Sequence, residues 1–284
     1  MNTMHASRTE STPARRNPRV EEELSIQEYL EANRRLYITR DPATGRLLSS
    51  DGRKADPNQA LADSLSENYE VTEPLLGLIR KASSEPDGKG YIGFSAVNLP
   101  FSGLMDYLID LQRAGILHSY RLGSSHIDIQ VNTQARDFLT KGFAQLHVMN
   151  HIKQEEKPEE LFYNVPICLE PNGKTRFTVD VIRRDEDEVT YTLIALSPHL
   201  EQSPQQIERL VRIVDYLKDD VQIIVSPRVN RRAVEDKINS LTKRWTGAVK
   251  IYPYTHLNYL YDRDAYLLDV HPDLYDDWEE LMQS

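Results

Sequence analysis

Apolar residues recur along this chain with two periods, one near 3.6 and one near 2, and turn residues separate the stretches. Residues 25–35 (SIQEYLEANRR) predict a helix with Ser25 as N-cap. Glu28 three residues on completes a capping box. Residues 36–49 alternate around Asp41-Pro42-Ala43-Thr44-Gly45 and predict a hairpin, followed by polar linker to about residue 60. Residues 71–82 carry Leu75, Leu76, Leu78 and Ile79 at helical spacing. Residues 91–98 read as a short extended run. Residues 102–114 predict an amphipathic helix with Leu104, Leu108, Ile109 and Leu111 inward, closed by Gly115 in the C′ position. Two strands, 117–122 and 126–131, flank the turn Gly123-Ser124-Ser125. Thr133 then stands as N-cap of a helix over 135–152. Helices followed by a two-stranded wing make a winged-helix pattern.

The rhythm changes after residue 160. Residues 161–169, 175–182 and 189–196 read as strands, the last two joined by an acidic turn at 184–188. Ser203-Pro204 opens a helix to about residue 217, with proline at N1, where its missing N–H costs nothing. Residues 221–225 (VQIIV) form a buried strand, 230–245 a helix, and 249–252 a last strand. The order β-β-β-α-β-α-β predicts an α/β sandwich with a mixed sheet rather than a barrel of βα repeats. The expected division is a disordered tail over 1–20, a helix, hairpin and linker over 21–69, a winged-helix-like domain over 70–152, and an α/β domain with an acidic, aromatic tail over 153–284.

Composition narrows the function classes. A chain of 284 residues buries roughly 70–75% of its unfolded surface, so it needs no disulfide or metal staple. With 39% apolar and 27% charged residues, it is neither fibrous nor wholly disordered. No apolar run approaches the roughly 18 residues of a membrane span, and the N-terminus has no apolar signal core. Cys168 is the single cysteine, which excludes a disulfide framework. These features predict a soluble, cytoplasmic protein with no membrane partner. Arg8, Arg15, Arg16 and Arg19 read as a solvated tail rather than a targeting peptide. The net charge of −10 argues against broad nucleic-acid binding, which rests on Lys and Arg.

Charge is nevertheless segregated. Arg228, Arg231, Arg232, Lys237, Lys243 and Arg244 cluster after the VQIIV strand, with Lys250 beyond. A basic helix N-terminus suits phosphate or a partner's acidic strip, so these six residues are the candidate binding site. The competing reading is a solvated charged face. Downstream, Tyr259, Tyr261, Tyr266, Tyr275 and Trp278 stand among eight acids from Asp262 to Glu280, a pattern suited to a protein interface or a second copy of the chain. The helix over 102–114 carries only Arg113 against Asp106 and Asp110, so it reads as a coupler rather than a DNA reader. Gly88-Lys89-Gly90-Tyr91-Ile92-Gly93 matches G-x-G-x-x-G, but no strand precedes it and no helix follows, so it reads as a turn. His147 and His151, four apart on one helix face, lack a third ligand and read as packed positions rather than a metal site.

The stretch from Thr175 to Val225 has the layout of a nuclease core. Such a core places one carboxylate at a strand bend and Glu-x-Lys on the next strand. The carboxylates hold Mg²⁺, which activates water, and the lysine orients it. This region resembles the restriction-endonuclease-like, PD-(D/E)xK superfamily. More narrowly, residues 95–252 resemble the winged-helix plus nuclease part of CRISPR-associated, cyclic-oligonucleotide-activated effector nucleases. Those proteins carry F-L-x-G-G-W-L-E-x-Y-V, then N-E-L-D-V, then I-E-C-K. The matching stretches are FLTKGFAQLHV from Phe138, RFTVDV from Arg176 and LIALS from Leu193.

The resemblance implies a restriction-endonuclease-like α/β sandwich, with Asp180 in the place of the metal aspartate. It also exposes departures: Gln145 replaces the helix glutamate, Thr178 the glutamate before the aspartate, and Ala195 and Ser197 the Glu and Lys of Glu-x-Lys. One carboxylate of three and no lysine imply a pseudo-nuclease with no cofactor. In that reading Asp180 is a hydrogen-bonded or salt-bridged strand residue, partnered by Arg176 or Arg183. The expected function is a non-catalytic structural or regulatory subunit of a prokaryotic defence or mobile-element complex. It would bind a protein partner or a second copy, and nucleic acid through the 228–250 cluster. One alternative is a Mg²⁺-dependent nuclease with relocated acids at Glu170, Glu201 or Glu208, in which Asp180 is catalytic. Another is an assembly subunit like the fifth subunit of eukaryotic RNA polymerases, whose jaw has a strand-helix order similar to residues 189–252. Residues 1–70 are too short for a cyclic-nucleotide sensor domain.

Overall fold

The computed structural model describes residues 25–38, 58–155, 157–171, 173–185, 188–218, 221–242 and 249–260. The expected tail at 1–20, the hairpin beyond residue 38, Lys243, Arg244 and the acidic stretch from 261 lie outside the described residues.

Helix α1 (Ile26–Tyr29) runs into a π-helical turn, Leu30–Arg34. Its capping box forms as the sequence predicts: the Ser25 hydroxyl accepts from the Glu28 amide, and the Glu28 carboxylate accepts from the Ser25 amide at 2.9 Å. Strand β1 (Tyr37–Ile38) pairs antiparallel with Ile167 and Cys168, far along the chain. Helix α2 (Gln59–Glu67) occupies residues expected mainly as linker. It forms because Leu61, Ala62 and Leu65 line one face and are buried there.

Helix α3 (Tyr69–Ser83) contains Pro74. A proline cannot donate to the carbonyl four residues back. Here that carbonyl, Glu70 O, accepts instead from the Arg228 guanidinium at 3.5 Å. Strand β2 (Lys89–Gly93), helix α4 (Phe101–Arg113) and strands β3 (Leu117–Leu122) and β4 (His126–Val131) follow. The three strands form an antiparallel sheet ordered β2-β4-β3. The glycines at 88 and 90 serve packing. Gly88 has φ +67°, and a Cβ there would stand 2.1 Å from the Val131 carbonyl oxygen. A Cβ at Gly90 would stand 2.6 Å from the Ala82 Cβ of α3.

Helix α5 (Phe143–Glu155) is entered through a 3₁₀ turn and a π-helical turn, Phe138–Gly142. The cap of the first turn is Asn132, whose side chain accepts from Gln134 N at 3.0 Å, rather than Thr133. The larger sheet comprises β1 with β5 (Glu160–Cys168), β6 (Phe177–Asp185), β7 (Glu188–Ala195), β8 (Val221–Val225) and β9 (Val249–Pro253). Its order is β1-β5-β6-β7-β8-β9. It is antiparallel as far as β7 and parallel from β7 to β9, so the sheet is mixed as expected.

Helices α6 (Pro204–Leu217) and α7 (Arg231–Leu241) make the two parallel crossovers. Proline opens α6, and the Asn230 side chain caps α7. All five residues of β8 are buried, because helices cover both sheet faces. One apolar cluster joins that sheet to α1, α6 and α7. The other joins it to α2–α5 and the three-stranded sheet.

Candidate functional site

The alternation of side chains in β6 breaks at Asp180. Phe177 and Val179 pack with α6 and α7, whereas Val181 packs in the cluster of α2–α5. In a regular strand Val179 and Val181 would share one face. The paired strand β5 changes phase at the same level, where Asn164 takes φ 51°. On its other side the β6–β7 ladder stops at Val181 opposite Thr192. Beyond that point the Asp180 carboxylate, rather than a main-chain carbonyl, accepts from Ile194 N at 2.7 Å. Asp180 therefore sits at a bend where two strands part.

Three donors surround this carboxylate, which is 1% exposed. Ile194 N is one. The Gln145 amide donates to Oδ1 at 2.6 Å. The Lys141 ammonium lies 2.5 Å from Oδ2. Asp180 is thus a salt-bridged strand residue, but its partner is Lys141 on a helix rather than the expected Arg176 or Arg183. Lys141 leaves the π-helical turn one helical turn before Gln145, so both point to the same sheet bend. That i, i+4 spacing to Gln145 was the available sequence signal for Lys141.

A cavity of about 630 Å³ opens beside this pair. Thr178, Asp180, Ala195 and Ser197 line it, together with Arg80, Thr140, Lys141, Gln206 and Arg209. The positions singled out by the motif comparison therefore converge in space. Glu170, Glu201 and Glu208 do not line this cavity. Glu208 instead pairs with Arg212 at 3.5 Å on the surface of α6. Among the described residues no three His, Cys, Asp or Glu side chains gather as a metal would require.

The described basic residues after β8 take up individual contacts. Arg228 spans to Glu73 of α3 at 3.7 Å, besides its bond to the Glu70 carbonyl. Lys237 donates to the Glu201 carbonyl at 3.4 Å. Arg231 lies half-buried at the start of α7 and Arg232 is exposed beside it. His147 joins Asp63 of α2 at 2.8 Å and stacks on His151. Burial, then the neighbouring His147, pushes the His151 imidazole below its ordinary pKa. The pair ties α5 to α2. No helix among the described residues is long and apolar enough to cross a membrane.

No known protein-family profile matches the chain, and no curated protein does. Several solved structures share its fold, two of them as follows. Protein VC1899 from Vibrio cholerae superposes with a TM-score of 0.54 at 16% identity, over 87% of this chain and 62% of that one. Can2 from Sulfobacillus thermosulfidooxidans, solved in complex with cyclic tetra-adenylate, superposes with a TM-score of 0.53 at 13% identity, over 86% of this chain and 60% of that one. The chain therefore spans about three-fifths of the length of each structure it matches.

Proposed function

We propose that this chain is a non-catalytic, nuclease-fold subunit of a prokaryotic defence system, acting by binding rather than by cleavage. The observation that carries this reading is the closed carboxylate. Both Asp180 oxygens are engaged by the Lys141 ammonium, the Gln145 amide and the Ile194 amide. A divalent cation needs several oxygen donors at about 2.0–2.6 Å. Here an ammonium already supplies the positive charge, and the neighbouring lining positions are Ala195 and Ser197. Those residues do not fit Mg²⁺, so water activation at a metal has no seat at this bend. The likeness to Can2, whose structure contains cyclic tetra-adenylate, supports the defence setting. In this reading α3, α4 and the β2-β4-β3 sheet form a winged-helix unit that couples the subunit to a protein partner or a second copy.

The test is incubation of purified protein with single- and double-stranded DNA and RNA in Mg²⁺ or Mn²⁺. The expected result is intact substrate. Cleavage that Asp180→Ala abolishes would replace this reading with a metal-dependent nuclease whose lysine is displaced on loading.

A further inference from the structure

We infer that the face of α6 turned toward the start of β6 is a docking surface for residues 261–284 of this same chain. A cavity of about 420 Å³ runs there, and its lining positions on α6 recur every three or four residues from 205 to 216. Eleven helical steps rise about 16 Å, the reach of about five extended residues. Arg176, just before β6, and Phe177, its first residue, form the opposite wall. The surface is therefore a groove with the length of a short extended segment.

The groove sets Arg176, Arg209 and Arg212 against a single carboxylate, Glu208. All four residues are exposed. Glu208 pairs with Arg212 at 3.5 Å along the helix, an exposed contact that a second acid can exchange at little cost. Arg176 and Arg209 form no ion pair among the described residues. Between the arginines lie Phe177, which is buried, and Tyr216, which is half-buried, their rings stacked 5.5 Å apart. Guanidinium forks take carboxylates in two-point fashion. The partner that fits is an acidic segment carrying aromatic or aliphatic side chains as well. Residues 261–284 have that chemistry: eight acids against Arg263, with Tyr275 and Trp278 among the acids from Asp273 to Glu280.

Topology brings that segment to the right edge of the sheet. Strands β7, β8 and β9 run parallel, with Ala195, Val225 and Pro253 level with one another. Strand β6 runs antiparallel to β7, so its first residue, Phe177, lies at the same sheet edge as the end of β9. Three strand spacings separate them, about 14 Å. Leu260, the last described residue, packs in the cluster of α2–α5, on the sheet face opposite α6. The 24 residues that follow it span up to roughly 80 Å when extended, enough to round the edge and lie along the groove. Occupied in this way, the groove admits an outside acidic partner only by exchange. The inference is independent of whether the chain cleaves nucleic acid.

The test follows Trp278 in the full chain. Trp245→Phe leaves Trp278 as the one tryptophan of the two in the sequence, and acrylamide, a neutral quencher, reports its exposure. The expected quenching constant is at least about twofold below that of the same protein in urea, and it rises toward the urea value in 1 M salt, where the Debye length is about 3 Å. It should not change when the protein is diluted. Arg176→Glu with Arg212→Glu should abolish the protection, and adding Asp276→Lys with Asp277→Lys should restore it. Both arginines are exposed and neither lines the Asp180 cavity, so thermal melting should be unchanged. A second measurement needs no tryptophan change: carbodiimide should join the lysine introduced by Arg212→Lys to an acid between residues 269 and 280, located by mass spectrometry. Quenching as free as in urea, protection that charge reversal leaves intact, or absence of that cross-link would each overturn the inference. Protection lost on dilution would overturn it too, by seating the segment on a second copy.

Discussion

A buried carboxylate and a half-exposed ammonium carry the centre of this protein. Asp180 is fully desolvated, while the Lys141 side chain remains 37% exposed. Breaking a fully buried pair costs about 3–5 kcal/mol, because one charge is left without compensation. Water can reach the Lys141 side, so Lys141→Met should cost less, about 1–3 kcal/mol in urea melts. The same substitution in an Asp180→Asn background should be nearly neutral, since no charge remains to strand. Equal costs in both backgrounds would mean that Lys141 contributes only its aliphatic packing. Gln145 has a parallel role: a carboxylate at that position would meet Asp180 at hydrogen-bond distance, and two like charges there would not both ionise. The amide donates instead.

At the scale of elements, departures from ideal geometry recur beside the site. A π-helical turn precedes α5, β5 turns through a left-handed residue at Asn164, and β6 inverts its alternation at Asp180. The glycines of the three-stranded sheet are a different case, fixed by close backbone approach. Gly88→Ala would force a side chain into the left-handed region and against the Val131 carbonyl. It should destabilise the protein by about 2 kcal/mol or more, measured by denaturant melts. An unchanged midpoint would remove the packing account of this glycine and return attention to a ligand-binding loop. Proline 74 shows how one element's defect becomes another's anchor. The carbonyl it leaves unsatisfied in α3 is taken by Arg228, which attaches the loop after β8 to the helical layer.

Across the whole molecule, the small sheet and its helices are continuous with the large sheet. Tyr69 of α3 stacks on Phe143 and meets Tyr254 edge-on at 5.1 Å. Tyr254, just after β9, donates to the Ser66 hydroxyl of α2 at 2.5 Å. Burial pushes the Tyr69 phenol up to about 12 and raises the Tyr254 phenol as well, so both stay neutral across the working pH range. Because one apolar cluster spans both sheets, calorimetry should show one cooperative transition. Tyr254→Ala should lower its midpoint, at about 3–5 kcal/mol for a buried aromatic deleted to alanine. Tyr254→Phe should cost only about 1 kcal/mol, for the hydrogen bond. Two separate transitions in the native protein would show that the ring cluster does not couple the sheets.

Local signals were legible before folding. The capping box at Ser25 and Glu28, the proline opening α6, the glycine ending α4 and the turn joining β3 to β4 depend on neighbours within a few residues. The mixed α/β order followed from the same periods. Asp180, Gln145, Ala195 and Ser197 could also be singled out from the chain alone, and Asp180 and Gln145 do meet in space. Only the tertiary structure decided the partners. Lys141 and Asp180 are far apart in sequence, and no propensity links them until α5 lies across the bend of β6. Among the basic residues after β8, Arg228 turns to Glu73 of α3 and Lys237 to the Glu201 carbonyl, contacts that no local pattern announces. The cations that line the cavities at Asp180 and along α6 come from α3, the turn before α5, the residue before β6 and α6. Charge acts through space, and distance in space between residues remote along the chain is set by packing.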